Sequence, residues 1–350
     1  MKKHVKKKAK KTKPVNKGLW ITIGIVFAAL VIGGVFALSY AMHGHGGETA
    51  WVRIPAGASE KAVKDSIVSQ LGNDEGGRVA MLWSLFNSNP ATSRGAYRVT
   101  RGQAVWRTAY NIARGRQTPV TVTWNNVRTL DALAEEVADG LDFSADDFII
   151  ACRETLGPEG FDDATLPAAF LPDSYEFYWG AQPSDVIKKM YAHRKKFWNE
   201  ERTAKAKGLG LTPTQVAIVA SIVEEETAKK DEMPKVARLY LNRLAKGMPL
   251  QADPTVKFAI GDFSIRRITN DMLRTDSPYN TYRNKGLPPG PIRVASQTGI
   301  EAVLNAPEHK YLYMCAKEDF SGYHNFATDY ATHMANARRY QAELDRRNIR

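Results

Sequence analysis

The chain has 350 residues, 43% of them hydrophobic and 25% charged, and a formal charge of +12 at pH 7. That length holds two domains with real cores, and that apolar content excludes a disordered chain. The charge invites a nucleic-acid reading, but nine lysines fall in the first 17 positions; without them 40 basic residues face 37 acidic ones, a balance of +3, and no nucleic-acid partner is expected.

Residues 18–42 carry no charge, and Leu19 to Tyr40 gives 22 nearly continuous apolar residues. About 20 are needed to cross a bilayer as a helix. The expectation is a single transmembrane helix over 18–42, preceded by a basic cytoplasmic tail over 1–17. The positive-inside rule then keeps the N-terminus in the cytoplasm and sends the rest of the chain to the far, periplasmic or extracellular side of the membrane. A cleaved signal peptide would have an apolar core of about 7–15 residues and a small-x-small site, which Ala37-Leu38-Ser39 matches weakly. The uncleaved anchor is the reading taken, and the lysines would add attraction to anionic headgroups. His43 and His45 lie in a glycine-containing linker and are expected to be exposed, with no metal. Cys152 and Cys315 sit in apolar contexts and read as separate core residues without a disulfide.

Residues 43–125 read as a small α+β module. Trp51–Pro55 is a strand, 60–71 a helix behind the Ser59 cap, 78–86 a helix, 95–99 a strand, 102–114 a helix and 118–124 a strand. Trp51, Trp83, Tyr97, Trp106 and Tyr110 could stack on sugars, but filling the core is the default for most of them. Residues 126–205 read as connecting helices, at 130–141, 145–154 and a long one over 183–206, with an aromatic strand after the turn at Leu171-Pro172-Asp173. Residues 206–350 read as a mixed α/β catalytic domain.

Thr212 and Pro213 start a helix that runs to about Ala228. Val216, Val219, Ile222 and Val223 share one face and Glu226 falls in its middle; Glu225 lies at its edge and Glu224 points away from Ile222. A carboxyl set among aliphatic side chains keeps its proton to higher pH and can act as a general acid. From this window alone, a solvated acidic helix end is the stronger reading. A helix over 231–246 follows. The Pro- and Gly-rich stretches at Leu250–Val256, Pro278–Tyr282 and Gly286–Ile292 are expected to be ordered loops lining a site. A strand at 310–315, His324-Asn325-Phe326 and a helix over 330–347 close the chain.

In these residues the chain resembles the YceG/MltG-type endolytic murein transglycosylases. The resemblance rests on Ala220–Thr227 with its Glu-x-Glu-Thr ending, Val236 with Asn242-Arg243-Leu244, Gln251-x-Asp253-Pro254-Thr255, Tyr279–Tyr282, Gly286–Ile292 and His324-x-Phe326, in the family's order over roughly 170–335. The small module resembles the family's LysM-like subdomain, although Trp124–Val127 replaces the acidic turn often found there. The resemblance implies an inner-membrane lyase that cuts peptidoglycan strands internally, between N-acetylmuramic acid and N-acetylglucosamine, and leaves 1,6-anhydro ends. It implies Glu226 as the catalytic residue. Glu224, Gln251, Asp253, Thr255, Tyr279, Asn280, Thr281, Tyr282 and His324 are expected to bind substrate. No cofactor or metal is implied; the expected partners are glycan strands, the membrane and peptidoglycan synthases. Two other readings stay open: a muramidase using Asp253 or Glu224 as a second carboxylate, and a non-catalytic, membrane-tethered glycan-binding protein.

Overall fold

The computed structural model describes residues 17–87, 89–265 and 267–347; the expected basic tail lies outside them apart from Lys17. In order the elements are α1 (Lys17–Met42), β1 (Ala50–Ile54), α2 (Glu60–Leu71), α3 (Asn73–Phe86), α4 (Pro90–Ser93), β2 (Gly95–Val99), α5 (Val105–Ala113), β3 (Val120–Thr123), α6 (Leu130–Asp139) and α7 (Ala145–Leu156). There follow β4 (Ser174–Phe177), α8 (Pro183–Phe197), α9 (Glu200–Gly208), α10 (Pro213–Glu226), α11 (Met233–Ala245), α12 (Asp253–Ile260), α13 (Gln297–Leu304), β5 (Tyr313–Ala316), β6 (His324–Ala327) and α14 (Tyr330–Arg346). The fold is α+β, and among the described residues the strands pair as three two-stranded antiparallel ribbons, β1–β2, β3–β4 and β5–β6. The chain divides after Thr118 into two compact units.

The first unit begins with α1, 26 residues that contain the uncharged run. At 1.5 Å per residue it is about 39 Å long, enough to cross a hydrocarbon core of about 30 Å. Its core joins Val52 and Ile54 of β1 to Val63 and Ile67 of α2, Val79 and Trp83 of α3, and Val105, Ala109 and Ile112 of α5. Of the aromatic candidates, Trp83 and Tyr97 are core residues. Trp83 donates its indole N–H to Ser93 Oγ (2.8 Å), and Tyr97 donates its hydroxyl to the Ser93 carbonyl (3.0 Å), so their polar ends are satisfied inside. Trp106 is exposed.

His45 corrects the expectation of an exposed linker. The segment is pinned to the start of α5, with Gly102 N–H donating to the His45 carbonyl and His45 N–H to the Gln103 carbonyl. The imidazole is buried, with Nδ1 2.7 Å from a Glu75 carboxylate oxygen and Nε2 2.6 Å from the Glu48 carbonyl. Burial opposes its charge, but Glu75 and the Glu48 carbonyl outweigh it and hold the imidazole above its ordinary value. A raised folded value means that the stabilisation is fully present below about pH 6.5 and is lost as pH rises through the raised value. Thermal melts should therefore show a loss on the order of 1 kcal/mol across that window, and His45→Gln should remove this pH dependence. A slope unchanged in the variant would show that the pair contributes nothing.

The second unit differs from expectation in four places. β3, expected to complete the small module through residue 125, pairs instead with β4, Val120 opposite Phe177 and Val122 opposite Tyr175, so the first unit ends at Thr118. The helix expected over 183–206 breaks at Trp198 and Asn199, because the Asn199 side chain accepts from Arg202 N–H (2.9 Å) and caps a new helix, α9. The loops expected between 250 and 292 contain α12, which starts at Asp253-Pro254 and ends at Gly261 in the left-handed conformation. The helix α13 was not expected either; it is two turns long and capped by Ser296.

The core of this unit is α10. Thr212 and Gln215 form a reciprocal capping box, with Pro213 in the first turn. From Val216 to Val223 every residue is buried, so the helix has no open face, and the one-sided pattern expected from periodicity understates its environment. It packs against α11, α12 and α13. Ser221, its buried polar residue, donates to the Ile218 carbonyl and accepts from Ile292 N–H.

Candidate active site

The chain leaves α10 at Glu226 and turns back through Thr227, which caps the helix, into α11. Glu226 therefore sits where two core helices meet, facing a cavity of about 260 Å³. The walls are Tyr240 and Arg243 of α11, the turn from Leu250 through Gln251 to Asp253, Tyr282, Met314–Ala316 of β5, and His324 of β6. Residues far apart in sequence thus converge on one carboxyl group.

The Tyr240 hydroxyl donates to Glu226 Oε1 at 2.6 Å. Burial pushes Glu226 up to about 7; the Tyr240 hydrogen bond opposes the rise and the negative charge of Asp253 adds to it. Burial and the neighbouring Glu226 hold the Tyr240 phenol well above its ordinary value, so it stays a donor. With Oε1 occupied as an acceptor, the proton of the neutral acid belongs on Oε2. Tyr240→Phe should keep the packing, lower the rate about tenfold through a loosened carboxyl, and move the alkaline limb of the pH–rate profile upward, because a pKa-lowering hydrogen bond is lost. A limb that stays in place would remove Tyr240 from this role.

The three acids have three environments. Glu224 accepts from Ser296 N–H (3.0 Å) and the Ser296 hydroxyl and has an Arg293 nitrogen at 3.8 Å. It packs on Gly299 so closely that a Cβ there would lie 2.6 Å from its carboxyl carbon. Glu225 bridges Arg128 and Arg293, each at 3.2 Å, and is partly buried. Neither residue is among those lining the Glu226 cavity. Glu224, expected at the substrate, is thus an anchor for the start of α13.

Of the other expected site residues, Gln251, Asp253, Tyr282 and His324 line the cavity with Glu226. Tyr282 donates to Asp253 Oδ1 (2.6 Å), and His324 Nδ1 lies 2.8 Å from Glu232, which also accepts the His324 N–H. That pairing leaves Nε2 as the imidazole nitrogen available to a ligand. Thr255, Tyr279, Asn280 and Thr281 stand behind the wall. The hydroxyls of Thr255 and Thr281 are 2.9 Å apart, and Thr281 Oγ1 accepts from Ala252 N–H. The Asn280 amide donates to the Leu273 and Thr275 carbonyls. Tyr279 packs at a tilt against Phe258, with ring centroids 4.7 Å apart, and brings its hydroxyl against Gly290. Thr255 and Thr281 hold the Gln251–Asp253 turn in shape, the Thr281 carbonyl accepting from Gln251 N–H and the Thr255 hydroxyl donating to the Ala252 carbonyl. Gln251 itself is at φ 53°, a left-handed conformation that a non-glycine residue keeps only when its surroundings enforce it.

Arg243 was not expected at the site. It is buried and donates to the carbonyls of Leu312 (2.6 Å), Leu250 (2.7 Å) and Pro249 (3.2 Å) and to Gln251 Oε1 (3.1 Å), joining the approach to β5 to the strained turn. Tyr240 and Glu232 were also missed. A tyrosine on the buried face of an amphipathic helix needs a polar partner, and that was the available signal for Tyr240. Among the described residues, no group of three His, Cys, Asp or Glu side chains comes together as metal ligands.

A profile of the YceG-like family matches residues 52–339. An endolytic murein transglycosylase of Bacillus subtilis (strain 168) is 29% identical over 314 residues, covering 83% of this chain and 86% of its own. A protein of the same name from Streptococcus pneumoniae serotype 2 (strain D39 / NCTC 7466) is 35% identical over 114 residues, 31% of this chain and 21% of its own. The crystal structure of a yceG-like protein from Listeria monocytogenes aligns with a TM-score of 0.55 at 23% identity, covering 82% of this chain and 98% of that one. At that identity the likeness concerns the fold.

Proposed function

Because the chain belongs to the YceG-like family, we propose that it is an endolytic peptidoglycan lytic transglycosylase with Glu226 as its acid and base. The carrying observation is the Glu226 carboxyl, pushed up to about 7 by burial and held by Tyr240 against a cavity that Asp253 also lines. Glu226 Oε2–H gives its proton to the glycosidic oxygen as the bond from C1 of the muramic acid breaks. The resulting carboxylate then takes the proton of that sugar's own 6-hydroxyl as O6 bonds to C1. The acid is restored and no water is consumed. A nucleophile within the same ring supplies the proximity that a free water lacks.

Gln251, Asp253, Tyr282 and His324 are the proposed contacts to sugar hydroxyl and acetamido groups, with Thr255 and Thr281 acting through the turn they support and Tyr279 and Asn280 ordering the neighbouring loop and α12. The hydrolytic alternative loses Glu224, which is bound elsewhere. The proposed setting is a single-pass anchor with the N-terminus in the cytoplasm and residues 43–350 outside it. A LysM-like first unit would guide strands, and peptidoglycan synthases would be neighbours.

Mass spectrometry of purified glycan strands incubated with the enzyme tests the chemistry. Internal cuts bearing 1,6-anhydro ends are expected, whereas reducing ends would identify a hydrolase.

A further inference from the structure

Residues 43–118 hold ten basic and five acidic residues, whereas residues 119–350 hold 30 and 32. The excess positive charge outside the tail thus belongs to the unit that α1 enters. The end of α1 packs against α3 and α5, and the Arg78 guanidinium lies 5.0 Å over the Tyr40 ring near the end of the span. Arg78, Met81 and Leu85 are spaced to share one face of α3, and Met81 and Leu85 are 54% and 71% exposed. At the end of this helix, Phe86 meets Tyr110 of α5 edge to face at 5.8 Å, and Trp106, one turn from Tyr110, is 39% exposed. Arg114 and Arg116 place their guanidinium groups over the Tyr110 ring, at 5.7 and 5.0 Å. Large apolar side chains, an exposed tryptophan and a fringe of arginines form the pattern of a surface that lies in a headgroup layer.

We propose that this face of α3 and α5 rests on the anionic lipid surface from which α1 emerges. The inference rests on α1 being a membrane span. Continuity selects lipid as the occupant, because the Arg78–Tyr40 contact ties α3 to the end of the span. Charge agrees with it, since the arginine fringe complements an anionic headgroup layer. The docked face would hold the first unit down on the membrane.

Hydrogen exchange of the full chain tests this in nanodiscs of phosphatidylcholine alone or mixed with phosphatidylglycerol. Amides in 80–86 and 105–113 should exchange about tenfold more slowly in the anionic discs. The Arg114→Glu/Arg116→Glu variant, altered at exposed positions, should lose that difference while α1 stays protected. Equal exchange of 80–86 and 105–113 in both discs, with α1 protected, overturns the docking and leaves the anchor standing. An unprotected α1 overturns both. Protection by purified glycan strands in neutral discs, with none from anionic lipid, overturns the proposal by assigning the face to glycan.

Discussion

Glu226→Gln should reduce release of anhydro-ended fragments by about 10³–10⁴-fold while the protein stays folded and still binds glycan. Glutamine keeps the shape and still accepts from Tyr240 through its carbonyl, but it has no proton to give and no carboxylate to take one back. A positioned acid commonly contributes about 10²–10⁴, and one group serving both steps places the loss at the upper end. In the unmodified enzyme, activity should fall as pH rises through about 7, because burial keeps Glu226 protonated to that point and ionisation removes the acid. Glu224→Gln should behave differently. Its carboxylate binds Ser296 and faces Arg293, so the variant should melt earlier yet keep most of its rate per folded molecule. An active Glu226 variant beside a folded, dead Glu224 variant would mean that the wrong carboxyl has been chosen.

Arg243→Ala should cost about 4 kcal/mol and abolish activity even where the protein remains folded. The guanidinium satisfies three carbonyls and the Gln251 amide oxygen, and each acceptor left without a partner costs about 1–3 kcal/mol, reduced here because the cavity admits water. Against a typical total of about 5–15 kcal/mol this is a large share. Arg243→Lys should recover part of the stability and little activity, since one ammonium cannot reach four acceptors in a fork. Hydrogen exchange at 249–253 and 310–316 would locate the damage. A variant with unchanged protection there and full turnover would show that Arg243 is not the tie described.

Much of this was legible where a local rule operates. The ends of α2 and α10 follow from Ser59, Thr212 and Pro213, and α1 from its uncharged run. Glu226 could be singled out because three acids follow an apolar run, although α10 is buried all round and periodicity alone understated that. Long-range pairings left no local mark. Nothing in Val120–Thr123 says that its partner lies beyond residue 170, and nothing around Arg243 says that its acceptors include Leu312. The polar loop residues carried the converse ambiguity: Thr255, Asn280 and Thr281 have side chains suited to sugars, but side chains that bind sugars also bind backbone, and here they do the latter. Composition cannot separate those uses; burial can.

A helix enclosed on every side, as α10 is from Val216 to Val223, has no outward surface on which neutral substitutions can accumulate. Descendants of this sequence can vary the open side of α9 freely, yet in α10 each change of volume displaces a neighbour in α11, α12 or α13. Lineages adapting the enzyme to hotter or more acidic surroundings would therefore change elsewhere, and α10 would pass through such transitions almost unaltered.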